Sequence, residues 1–205
     1  SLWPHKKALS SSQLVTYLKD PAEFYICYAN GVKRDSLPMT IGRIFSAAYA
    51  DRKLDYATHL REAGCEQRFI TLFGQALAKF PIIKGGKPEY AMKCKVNGWE
   101  IRATLDDIHA PSAIIIENKT GKQKWTQERA DESPQITIQN FCYWKKHGRI
   151  AKHTQVNWWN TGIKSHAHIE TFVTKRSVSQ LKDCEELVES VIENILAENF
   201  SNPII

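Results

Sequence analysis

Apolar positions along this chain follow two periods, and the change between them falls near residue 88. Before it, they recur every three or four residues, as on one face of a helix. Ser10-Ser11-Ser12 offers a cap for a helix over Gln13–Leu18, and Asp20-Pro21 breaks it and opens a second helical segment through Tyr28. A third helix is predicted over Ile41–Leu60. A fourth spans Glu62–Phe80, where Phe69, Leu72, Phe73, Ala76, Leu77 and Phe80 form a core stripe. After residue 88 the pattern shortens. Tyr90–Val96 and Trp99–Ile108 alternate and are joined by Asn97-Gly98, a strong hairpin signal. A loop at His109–Ser112 leads into Ala113–Ile116, a short apolar run typical of a strand buried on both faces. Ser133-Pro134 then opens a helix over Gln135–His147. Strands follow at Ile150–Asn160 and His168–Thr174, and a long amphipathic helix over Val178–Asn199 stops at Asn202-Pro203. The order predicts an α/β protein with a central mixed β-sheet, mainly from Tyr90 to Thr174, flanked by helices. Residues 1–88 form a mainly helical N-terminal lobe and 89–205 the sheet and its flanking helices. No repeat or linker divides the 205 residues, so a single domain is expected.

One stretch breaks the pattern. The buried run Ala113–Ile116 continues into Glu117-Asn118-Lys119, and a strand alternates its side chains, so Glu117 and Lys119 emerge on one side. Asp106 precedes Glu117 with ten residues between them, at the end of the neighbouring strand. Two carboxylates and the carbonyl of Asn118 offer hard oxygen ligands for Mg²⁺ or Mn²⁺. A cation there would acidify a water and stabilise charge on a phosphate, with Lys119 orienting the water or neutralising the pentavalent state. Metal-assisted phosphodiester hydrolysis is the chemistry this set suits. The net charge of +6 favours a polyanionic partner. Five cysteines, scattered and without C-x-x-C spacing, point to a reducing compartment and away from zinc or a disulfide framework. No apolar run reaches the ~18 residues of a membrane span, and nothing reads as a signal peptide. Localisation in the cytoplasm is the expectation, with no membrane partner.

Asp106, the ten-residue gap and Glu117-Asn118-Lys119-Thr120-Gly121 resemble the core of the PD-(D/E)xK nuclease superfamily, in its RecB/Cas4-like exonuclease branch. Leu9–Tyr25 is similar to that branch's N-terminal motif, and Gln139–Tyr143 to its Q-x-x-x-Y helix. Three motifs in order cover about residues 9–145. The resemblance implies a restriction-endonuclease-like core and a metal-dependent deoxyribonuclease, more an exonuclease than a sequence-specific endonuclease. It implies a role in recombination, repair or phage DNA processing, in a prokaryotic or phage-infected cell. Its catalytic set would be Asp106, Glu117 and Lys119. Asp106, Glu117 and Asn118 would hold the metal, and Gln139 and Tyr143 would position DNA, with Gln135 a weaker candidate one turn earlier. Some members carry an iron–sulfur cluster, but Asp20 precedes Pro21 here and the tail lacks a cysteine triplet, so none is expected.

The chain departs from the pattern twice. Ser46 occupies the place of a metal-binding histidine, and Ala103 replaces the glycine three residues before Asp106. Ser46 could hold a bound water, and Glu89 is a candidate additional or outer ligand. Asp107 competes with Asp106, since neighbours on a strand face opposite ways. Asp51 and Asp55 on the third helix, His59 and Lys33-Arg34 read as solvated. Lys122, Lys124, Trp125 and Arg129, in a polar loop over Gln123–Asp131, and the basic region of Lys152, His153, Lys164, His166, His168, Lys175 and Arg176 could meet a DNA backbone or bases. Two further readings stay open: a non-catalytic nucleic-acid-binding domain of the same fold, and a nuclease subunit active only with a helicase or recombinase partner.

Overall fold

The computed structural model describes residues 7–32 and 35–201; Lys33-Arg34 and the segment from Asn202 lie outside it. The chain opens with β1 (Ala8–Ser10) and α1 (Ser11–Lys19), whose N-terminus is closed by a reciprocal capping box between Ser10 and Gln13. α2 (Pro21–Phe24) runs into a π-helical turn, Tyr25–Ala29. α3 is Leu37–Ala50, α4 is Tyr56–Glu62 and α5 is Gln67–Lys79. The strands are β2 (Tyr90–Val96), β3 (Trp99–Leu105), β4 (Asp107–His109) and β5 (Ile114–Gly121). Then come α6 (Gln127–Glu132), α7 (Pro134–His147), β6 (His153–Asn160), β7 (His168–Thr174) and α8 (Val178–Leu196).

The architecture is α/β, with two mixed sheets rather than one hydrogen-bonded sheet. One has the order β1-β3-β2 and the other β4-β5-β6-β7. The predicted strand Trp99–Ile108 is split at Asp106, where the chain bends from the first sheet into the second. β5 and β6 are parallel, which requires a crossover, and α6 and α7 supply it. The two neighbouring tryptophans of β6 point to opposite faces. Trp158 anchors a small core with Trp125 and Ile136, whereas Trp159 packs among Phe45, Phe69 and Phe73 of the helical lobe. The largest core joins α1, β2, β3, α7 and α8 through Tyr17, Trp99, Phe141, Leu181 and Val188.

The expected helix Ile41–Leu60 is two helices. Asp51 closes α3 and the side chain of Asp55 caps α4 by accepting from Thr58 N–H at 3.2 Å, so neither acid sits mid-helix. Carboxylates at caps compete for the backbone more strongly than they favour an unbroken helix. The expected helix over Glu62–Phe80 likewise begins later, at Gln67. The polar loop Gln123–Asp131 contains α6, capped by Thr126. In the basic region, Arg176 is buried and spends its donors on Thr137 Oγ1, Thr174 Oγ1 and Ala130 O, so it is a structural tie and not a DNA contact.

Candidate active site

The pairing of β5 with β4 reaches no further than Asp107–Ile116, so among the described residues the half of β5 that carries Glu117, Asn118 and Lys119 has β6 on one edge and no strand on the other. The bend between β3 and β4 delivers Asp106 to this open edge. Its Oδ2 accepts the backbone N–H of Asn118 at 2.6 Å. In an extended strand the N–H and C=O of one residue face the same edge, so the Asn118 carbonyl also faces the Asp106 side. The Ser46 hydroxyl, from α3, donates to Asp106 Oδ1 at 3.4 Å.

Glu117 and Lys119 share the face of β5 that lies under α7. Lys119 Nζ is 2.6 Å from Glu117 Oε1, and the carboxylate side chain is only 4% exposed. α7 contributes two amides one turn apart. Gln139 Nε2 donates to Glu117 Oε2 at 2.7 Å and also reaches Thr104 O. Gln135 bridges the ion pair: its Oε1 accepts from Lys119 Nζ at 2.7 Å and its Nε2 donates to Glu117 Oε1 at 2.9 Å. The spacing of Gln135 and Gln139 was the available sign of this clamp. Truncating Gln135 to Ala removes two hydrogen bonds to charged groups. Since such bonds contribute about 1.5–3 kcal/mol each before relaxation, a loss of stability of at least about 1.5 kcal/mol is expected, read in a thermal melt.

The charge of a neighbouring carboxylate raises a carboxyl's affinity for a proton. Asp106 is pushed up to about 7, first by burial and then by the charge of Glu117; the Asn118 N–H, Lys119 and the Ser46 hydroxyl oppose the shift. The same concentration of negative charge attracts a divalent cation. Asp106, Glu117 and the Asn118 carbonyl are hard donors, and no third His, Cys, Asp or Glu completes a cluster among the described residues. Such a set suits Mg²⁺, which is commonly held by one or two carboxylates and keeps several waters. Gln139 Oε1 and the Tyr143 hydroxyl, both on α7, are buried without a hydrogen-bond partner among the described residues, which leaves acceptor and donor capacity unused on that helix.

The other candidates are placed as follows. Asp107 points to the opposite side: its Oδ2 accepts from the buried Tyr49 hydroxyl at 3.3 Å, and burial together with that carboxylate drives the tyrosine pKa upward. Gly86 lies so close beneath that an added Cβ would meet Asp107 Oδ1 at 2.5 Å. Asp107 is therefore a buried brace for α3. Asn118 turns its side chain to this same far face, where Oδ1 accepts from Asn157 Nδ2 at 3.0 Å. Tyr143 sits in the main core with its ring against His147, and its hydroxyl makes no hydrogen bond to the carboxylates. Glu89 is exposed; it is joined to the site through its backbone N–H, which donates to Asp106 O at 3.0 Å. Trp125 is buried, with the Arg129 guanidinium 4.6 Å and Lys119 Nζ 5.8 Å from its ring, so it supports the lysine from below and is not open to a base. His168 is engaged by Glu170 at 2.8 Å.

With the geometry in place, the class of fold is plain: an α/β architecture of two mixed sheets flanked by helices, with a restriction-endonuclease-like core. A structure from Eubacterium rectale, described as a candidate exonuclease, superposes with a TM-score of 0.64 over 93% of this chain and 80% of its own, at 12% identity. An alkaline exonuclease from Laribacter hongkongensis aligns over 94% of this chain and 89% of its own at 13% identity, with a TM-score of 0.49. No family model and no curated protein matches the sequence.

Proposed function

We propose that this chain is a metal-dependent deoxyribonuclease of the PD-(D/E)xK type, acting as an exonuclease on DNA ends or single strands. The observation that carries the reading is the meeting of Asp106, Glu117 and Lys119 at the half of β5 that β4 leaves uncovered, with Asp106 arriving from the bend between β3 and β4. A structural ion pair needs only Glu117 and Lys119; the second carboxylate adds repulsion that a cation-binding site uses. The fold it shares with the Eubacterium rectale protein is in keeping with it. So is the resemblance of its motifs to the RecB/Cas4-like branch.

Asp106, Glu117 and the Asn118 carbonyl would hold Mg²⁺ or Mn²⁺, which supplies a nucleophilic water at neutral pH and offsets charge on the phosphate. Lys119 lies within hydrogen-bond reach of the carboxylate and donates to the attacking water or to a phosphoryl oxygen as negative charge builds. Water oxygen bonds to phosphorus, the bond to the leaving oxygen breaks, and the leaving oxygen takes up a proton. Gln139 fixes the Glu117 carboxylate and keeps its free Oε1 for a water or the substrate. Gln135 holds Lys119 and Glu117 at a fixed separation. Recombination, repair or phage DNA processing, in a prokaryotic or phage-infected cytoplasm, is the setting this activity would serve, with a helicase or recombinase as the protein partner.

End-labelled linear DNA and covalently closed circular DNA, incubated with Mg²⁺, Mn²⁺ or EDTA, test the reading. Cation-dependent loss of the linear form alone is the expected result. Cutting of closed circles would assign an endonuclease. Salt-sensitive binding without cleavage under any cation would assign a non-catalytic DNA-binding domain, with Ser46 in place of a histidine as the cause.

A further inference from the structure

Beyond the end of β5 the fold leaves a cavity of ≈ 460 Å³, bounded by α3, α5 and the segment between β6 and β7. Its walls are apolar and partly aromatic: Ile41, Phe69, Leu72, Trp159 and Ile163. Thr120 and Gly121, the residues that follow the catalytic lysine, form one side of it. Arg68, Lys122 and Lys164 contribute to the lining; all three are exposed and without an ion-pair partner among the described residues, and Glu66 is the one acid there. Trp159 is 1% exposed, and its indole N–H is buried without a partner.

Three features select the occupant. The size and apolar lining suit a flat aromatic group and not a bare ion. Three cations against one acid call for negative charge attached to that group. Strand geometry sets the distance: at about 3.3 Å per residue, Gly121 is about 7 Å along β5 from Lys119, and Thr120 turns to the α3 face of the strand, so the cavity opens past the end of β5 on the face opposite Lys119, within reach of a strand that passes through the site. A base carried on a phosphate backbone meets all three conditions. An apolar peptide would not explain the three unpaired cations.

We propose that this cavity is a subsite for a nucleobase of an unpaired DNA strand, next to the scissile phosphodiester. The base packs against Phe69 and Ile163, with Trp159 as the buried floor beneath them, and Arg68, Lys122 and Lys164 contact the flanking phosphates. Stacking of this kind accepts every base, so the subsite favours unpaired strands without reading sequence. It rests on the nuclease reading above.

Cys65 lines the same cavity and is half-buried, which supplies a local reporter. The whole chain is alkylated with N-ethylmaleimide in EDTA, where DNA is not cut, and each cysteine is followed by peptide mass. The probe is a single-stranded oligonucleotide of about 12 nucleotides, within the range of single-strand site sizes; binding is monitored in parallel by fluorescence anisotropy. The expected result is a slowing of Cys65 alkylation by at least about fivefold, with Cys27 unaffected. A fully abasic strand of equal length is expected to leave Cys65 unprotected. Ile163→Trp, which fills the cavity, is expected to bring the affinity for the normal strand down to that for the abasic one. Tight binding with no protection of Cys65, equal protection by the abasic strand, or an Ile163→Trp chain that still prefers bases would overturn the subsite and leave the nuclease reading standing. Failure of both strands to bind at low salt would overturn the nuclease reading and the subsite with it.

Discussion

Lys119→Ala is expected to cleave linear DNA at least about a hundredfold more slowly than the parent chain, while still binding it. Removing one preorganised donor from a developing charge usually costs about 10²–10³ in rate. Here the donor is held by two contacts, Glu117 Oε1 at 2.6 Å and Gln135 Oε1 at 2.7 Å, so little reorganisation precedes its use. The same substitution strips the counter-ion from a carboxylate that is 4% exposed. Breaking a buried pair by removing one partner costs about 3–5 kcal/mol, though the amides of Gln135 and Gln139 still donate to Glu117 and will reduce this. At about 2–4 °C per kcal/mol for a chain of this size, a fall in Tm of roughly 5 °C is expected. Lost stability and lost chemistry are therefore mixed in the single variant. Adding Glu117→Gln separates them, because it neutralises the abandoned carboxylate. The double variant is expected to recover more than half of the lost Tm and none of the activity. A folded Lys119→Ala chain that cleaves at the parental rate would remove Lys119 from the mechanism.

How much of this site could be seen in the residues depended on how local its geometry is. Glu117 and Lys119 on one face follow from strand alternation alone. Gln135 and Gln139 on one face follow from the helical repeat, although nothing local showed that both amides would close on the same ion pair. Asp106 against Asp107 was different. Alternation said that only one of them could face Glu117, but the deciding feature is a bend that ends β3 and starts β4, and it depends on how two sheets meet. Sequence separation also hid β1, whose three residues pair with β3 some ninety positions later. Helix ends were misplaced where Asp51 and Asp55 cap rather than continue, a competition between side chain and backbone that periodicity does not register. Trp125 and Arg176 were read as surface groups by their polar neighbours. Both are buried because α6 folds what looked like an open loop back over β6 and β7. The cavity draws on segments from Leu37 to Lys164, and no window of sequence contains it.

Asp106→Asn is expected to abolish cleavage and yet make the cation-free protein more stable at neutral and alkaline pH. The carboxyl of Asp106 is pushed up to about 7 in the folded chain, against an ordinary value of 3.8. A carboxylate raised by folding contributes its full stability below the unfolded value and loses it as pH rises through the folded one. Stability in EDTA should accordingly fall between about pH 4 and pH 7 and level off above. Asparagine removes that dependence. Its Oδ1 can still accept the Asn118 N–H, and the charge repelled by Glu117 is gone. In EDTA at pH 8 the variant is expected to melt a few degrees higher than the parent chain, on the order of 1–2 kcal/mol, with the difference vanishing near pH 4. Millimolar Mg²⁺ or Mn²⁺ should reverse the ranking. A ligand that binds only the folded state stabilises it by mass action, and the parent chain alone keeps both carboxylates to hold the cation. The two melting series thus separate the roles of the same carboxylate: its cost to the empty fold, and its use once a cation is present. If the variant were instead less stable in EDTA at pH 8, Asp106 would be a structural acceptor for the β5 edge, and the repulsion argued for the site would be wrong.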